Sequence, residues 1–126
     1  LESGLSPAST IIHPSAVVQD ANVGKGGLIA PGVVVTTSVT LGDFVILNYN
    51  CTVGHDSKIG NFTTCNPGSN ISGNCLLGES IYFGVGAAVR EGLSICNHVT
   101  IGGKAFVTKS ISEENSTWIG LPAKKV

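Results

Sequence analysis

The stretch Leu47-Asn48-Tyr49-Asn50-Cys51-Thr52-Val53-Gly54-His55-Asp56-Ser57-Lys58-Ile59 repeats with a period of six. Leu47, Val53 and Ile59 are large aliphatics six apart, and Cys51 and Ser57 stand four places after the first two. Upstream the same count meets Ile11, Val17, Val23, Ile29, Val35 and Leu41. Downstream it meets Cys65, Ile71, Leu77, Phe83, Val89, Ile95, Ile101 and Val107. So long an unbroken series fits neither the 3.6 period of a helix nor the 2.0 period of an alternating strand. The companion positions, from Ser15 to Ile111, are small or β-branched nearly throughout. The residue after each large aliphatic is often Gly, as at Gly24, Gly42, Gly54, Gly60, Gly78, Gly84 and Gly102.

Each hexad therefore supplies a short strand with one large and one small inward group. Its Gly, Asn or other small residue is expected to turn the corner that a bulky side chain would obstruct. Three strands close a triangular coil of 18 residues, and coils stack at the strand spacing of about 4.8 Å. The expected fold is all-β: a parallel β-helix of about six 18-residue coils over residues 11–112. Residues 1–10 form a linker or cap, and a short C-terminal tail occupies residues 113–126. Trp118, the sole Trp, is expected to anchor that tail on the prism.

Composition narrows the function. Of 126 residues, 42% are hydrophobic and only 12% charged, against a usual quarter, which excludes a self-repelling disordered chain. A net charge of −1 gives no electrostatic basis for nucleic-acid binding. No apolar run approaches the roughly 20 residues of a membrane span. The four cysteines form no C-x-x-C pair. Cys51, Cys65 and Cys75 fall on inward positions, where free Cys packs as a small hydrophobe, as suits a reducing cytoplasm. With no Met, the chain reads as a processed product, a trimmed piece or a fragment.

The hexads, the segment from Asn48 to Asp56 and the tail Gly120-Leu121-Pro122-Ala123-Lys124 together resemble the left-handed β-helix hexapeptide-repeat acyltransferases. Ile12-His13-Pro14-Ser15-Ala16 and the His55-Asp56 pair are similar to the bacterial branch that acetylates sugars. That branch includes sialic acid O-acetyltransferases and N-acetyltransferases of UDP-4-amino sugars. The left hand comes from the resemblance, since general chirality rules favour right-handed crossovers. The resemblance implies a sugar acceptor, acetyl-CoA as co-substrate without a metal, and a cytoplasmic homotrimer with active sites in clefts between neighbours. It also implies an N-terminal nucleotide-binding domain, which nothing in residues 1–126 matches.

Acetyl transfer needs a base for the incoming nucleophile, donors for the oxyanion and a site for the long CoA chain. Histidine titrates near neutrality. Three are present. His13, followed by Pro, reads as structural; His98 belongs to an outward column with Phe44, Phe62 and Ser80 at 18-residue steps. His55 stands third in its hexad, and the resemblance makes it the base. The same resemblance makes Asp56 the group that orients its ring, although neighbours on a regular strand point to opposite faces and a solvated charge is the alternative. Asn48 matches a family residue near the acceptor and also suits a hexad corner. Gly73, one coil beyond His55, would leave its N–H open to the thioester carbonyl. Gly84, Gly102, Gly103 and Ala105 offer a column of small residues for pantetheine, unless packing alone explains them. Arg90, Lys104, Lys109, Lys124 and Lys125 bias the C-terminal end towards the CoA phosphates. Rival readings are an inactive scaffold or ice-binding β-helix and a γ-type carbonic anhydrase. The first lacks outward Thr ladders at 18-residue steps; the second needs a local H-x4-H that the three histidines do not supply.

Overall fold

The computed structural model describes residues 4–126; Leu1, Glu2 and Ser3 of the expected cap lie outside the described residues. Strands of two or three residues wind into a three-sided parallel β-helix of about six turns. The first face carries Ile11–Ile12, Leu28–Ile29, Ile46–Leu47, Thr64–Cys65, Tyr82–Phe83, Thr100–Ile101 and Thr117–Ile119. The second runs from Val17–Val18 through Thr52–Val53 to Phe106–Val107, and the third from Ala21–Val23 through Lys58–Ile59 to Ser94–Ile95. Through the middle of the stack the register is 18 residues, as in Thr52 opposite Asn70 and Cys65 opposite Phe83. Each large aliphatic from Ile29 to Val107 is buried, and so is each small companion from Gly27 to Ile111. This single column is the core.

The frame does slip once, in the first coil. Ile12 pairs with Ile29 and Val18 with Val35, both 17 residues apart, whereas Val23 pairs with Leu41 at 18. Ile12, Ala16 and Val18 therefore stand in the inward row, while Ile11 and Val17 are 67% and 48% exposed and Ser15 is exposed too. The turn between Val18 and Val23 is one residue short. Below it, residues 8–10 tie to the prism: Gly26 N–H donates to Ala8 O at 2.7 Å, and Thr10 Oγ1 to Gly24 O at 2.7 Å.

The corners also differ from expectation. The residue that reverses the chain is the fourth of each hexad, in the left-handed region: Phe44, Asn50, Asp56, Phe62, Asn74, Ser80, His98 and Lys104 all have φ of 55–61°. The glycines directly after the large aliphatics serve coil stacking instead. A Cβ on Gly54 would run into Gly73 N, and one on Gly84 into Gly103 N, in the next coil. At the far end Trp118 pairs above Ile101, packs against the core and donates its indole N–H to Ser116 Oγ at 2.8 Å. The tail anchor expected of it is thus in place. Lys124–Lys125 returns antiparallel beside it.

Candidate active site

His55 and Asp56 leave the prism at the corner between the second and third faces. The left-handed backbone at Asp56 (φ 61°) folds its carboxylate back towards the preceding ring, which a regular strand would forbid. Asp56 Oδ2 lies 2.9 Å from His55 Nδ1, with both side chains about half exposed (55%). With Nδ1–H held by the carboxylate, Nε2 keeps its lone pair free to accept a proton.

That nitrogen faces Gly73. A Cβ on Gly73 would lie 2.5 Å from His55 Nε2 and 2.9 Å from both flanking ring carbons, so only a glycine lets the imidazole rest there. Asn74 N–H donates to His55 O at 2.8 Å, which fixes the two coils against each other. Gly73 N–H finds no protein acceptor among the described residues. The contrast with the corner between the third and first faces is informative. There the amides of Lys25, Asp43 and Glu79, each third in its hexad, donate to the side chains of Asp43, Asn61 and Asn97 one coil on, at 2.9, 2.7 and 2.8 Å. In the His55 column the corresponding side chain is missing, and an amide is left for a ligand.

The other expected site residues sit elsewhere. Asn48 occupies the corner between the first and second faces, so one protomer does not bring it to His55. It shares a recess of about 330 Å³ with His13, Pro14, Leu28, Pro31 and Tyr49. The His13–Asn48 pairing escaped the sequence reading because the first coil is one residue short: 17 residues and then 18 lead from His13 to Asn48. His13 itself also holds a turn, with Nδ1 2.9 Å from Ser15 Oγ. His98 is exposed on the remaining corner, so the three histidines occupy three different corners. No group of three His, Cys, Asp or Glu converges among the described residues. Phe44 and Phe62 stack outward below His98 with centroids 5.2 Å apart.

Gly84 and Ala105 are buried, Ala105 with its methyl in the core, and a Cβ on Gly102 would meet Ile119 Cγ2 at 2.8 Å. Close packing accounts for these three. Gly103 and Lys104 are exposed, and Lys124 is exposed on the strand that returns above them. Lys125 is paired instead, Nζ to Glu113 Oε1 at 2.7 Å. Arg90 and Lys109 lie on the His55 corner, so the basic residues divide between two corners. All four cysteines are free, and burial pushes the thiols of Cys51, Cys65 and Cys75 up.

No protein-family model matches the chain. The GDP-perosamine N-acetyltransferase of Escherichia coli O157:H7 is 35% identical over 91 residues, 71% of this chain and 41% of that protein. PerB from Caulobacter crescentus, crystallised with CoA and GDP-perosamine, superposes with a TM-score of 0.92 at 31% identity, over 95% of this chain and 58% of PerB. The acetyltransferase domain of PglB from Neisseria gonorrhoeae, in complex with acetyl coenzyme A, gives a TM-score of 0.91 at 34% identity, over 95% of this chain and 58% of that one. The chain thus spans about half the length of the relatives it matches. Its repeat, its corner histidine and these likenesses have one common source: the chain belongs to the hexapeptide-repeat acyltransferase family.

Proposed function

We propose that the chain carries the catalytic β-helix of an acetyl-CoA-dependent sugar N-acetyltransferase. The observation that carries the reading is the His55–Gly73 pair, an imidazole with a free Nε2 set over a glycine whose amide has no protein acceptor. The amine of a nucleotide-linked amino sugar, the class bound by PerB, attacks the thioester carbonyl. His55 Nε2 takes the amine proton as the C–N bond forms. Gly73 N–H receives the oxyanion. Collapse breaks the C–S bond, and CoA leaves as the thiol, taking the proton from His55. Transfer is direct, because Cys51, Cys65 and Cys75 are buried and cannot carry an acyl group out to the acceptor.

The pantetheine arm runs along the exposed Gly103–Lys104 edge, and Lys124 takes a CoA phosphate. The enzyme is a cytoplasmic homotrimer. Its free thiols suit a reducing compartment. The apolar outward row of the first face, Ile11, Leu28, Ile46 and Tyr82, suits a subunit contact. The test is acetylation of GDP- and UDP-4-amino sugars by acetyl-CoA, followed by mass spectrometry. His55→Ala should keep the fold and lower kcat by about 10²-fold or more. A variant with most of its turnover overturns the assignment.

A further inference from the structure

Beneath the Gly73 turn lies a side chain that the mechanism above does not use. Ser57 is fully buried, follows the His55-Asp56 pair directly, and inserts its hydroxyl into the corner of the next coil. Cys75 N–H donates to Ser57 Oγ at 3.0 Å, and Ser57 Oγ–H donates to Ser72 O at 2.9 Å. At the Asn48 corner the matching bond is direct, Cys51 N–H to Asn48 O at 3.2 Å. In the Ser72–Cys75 corner the hydroxyl stands between the two groups.

The acceptor is what matters. Ser72 C=O and Gly73 N–H are the two ends of one planar, trans peptide group, so they point in opposite directions. Holding the oxygen towards the buried hydroxyl turns the N–H outward, towards the His55 ring. A hydrogen bond accepted by the carbonyl also polarises the amide and strengthens its N–H as a donor. The adjoining peptide is fixed as well: Gly73 O accepts Gly92 N–H at 3.0 Å and Asn74 N–H donates to His55 O at 2.8 Å. One free donor remains in a turn otherwise tied down.

We infer that Ser57 is a positioning residue for acyl transfer, aiming and polarising the Ser72–Gly73 peptide so that Gly73 N–H meets the thioester oxyanion. The inference rests on the reading of Gly73 and His55 given under Proposed function. The fold supplies its own control. Thr63, equally buried, bridges the next corner in the same way, taking Ile81 N–H and donating to Gly78 O, both at 3.3 Å. The amide it would aim, Glu79 N–H, is already bound to Asn97 Oδ1. Ser57→Ala and Thr63→Ala thus make the same structural lesion, and only one of them lies under the reacting atoms.

The experiment measures melting temperature, kcat and the KM for acetyl-CoA in the full chain, with the amino-sugar acceptor that the wild type acetylates. Both alanine variants are expected to melt a few degrees lower. Ser57→Ala should lose kcat by about 10–100-fold, a fraction of the effect of deleting an oxyanion donor, with the KM for acetyl-CoA unchanged. Thr63→Ala should stay within threefold of wild type. Ser57→Thr, which keeps both bonds as Thr63 does, should restore kcat. If Ser57→Ala does not fold, Ser57→Cys replaces it. Its thiol is a weaker donor of the kind seated at Cys51 and Cys75, and a several-fold fall in kcat is expected. Wild-type kcat in either variant, or equal losses at Ser57 and Thr63, overturns the inference. An inactive His55→Ala beside an active Ser57→Ala removes the positioning role alone, whereas an active His55→Ala removes the catalytic reading and this inference with it.

Discussion

A single missing Cβ sets the distance between base and oxyanion donor. Gly73→Ala places a methyl carbon where Nε2 now rests, so the ring must swing away even though Gly73 itself has no left-handed backbone to protect. The variant should therefore melt near the wild-type temperature and lose kcat by about 10²-fold, the scale of a lost general base. Calorimetry beside steady-state kinetics separates the two effects. Asp56 allows a complementary test, because its left-handed conformation tolerates Asn. Asp56→Asn should keep the corner, leave the ring without an anionic partner for the imidazolium, and lower kcat by about tenfold. A fall in melting temperature as large as the fall in activity would make Asp56 a corner residue first.

At the scale of strands and corners, the six-residue beat was legible because every large position from Ile29 to Val107 faces the core. The first coil was not, for a physical reason: Ile11-Ile12 and Val17-Val18 are apolar doublets, so a count in sixes cannot see which member points inward. The corner was misplaced because glycine serves two needs. After an aliphatic it admits the next coil's backbone, whereas the reversal falls two residues later on Asp, Asn, Ser and even Phe. The Asp56 contact follows from that reversal and was hidden with it. Cys51 and Cys75 read as packing alone, yet they donate Sγ–H to Asn66 O and Arg90 O at 3.0 and 3.3 Å, as the hydroxyls of Ser57 and Thr63 do between them. Burial and raised thiol pKa both suppress reaction. A thiol reagent should therefore modify half-buried Cys96 first in the native protein, and Cys51, Cys65 and Cys75 only on unfolding, which mass mapping of the alkylated chain would report.

The prism as a whole places His55 opposite the apolar first face, since the corner between two sides of a triangle faces the third. Asn48 stands on a different corner, beside that face. Within one chain the two cannot serve one acceptor. In the proposed trimer they can, because a cyclic three-fold contact is heterologous and sets one patch of a subunit against a different patch of its neighbour. Asn48, with His13 and Tyr49 around it, then closes over the neighbour's His55. Mixed trimers decide the matter. His55→Ala alone should be inactive, and Asn48→Ala should lose about tenfold or more in kcat/KM for the sugar. Refolded together in equal amounts, they should recover to about a quarter of the wild-type rate, because about one boundary in four joins two intact partners. Activity that stays at the average of the two separate variants would place Asn48 and His55 in unconnected sites, and the recess beside His13 would then have no part in binding the acceptor.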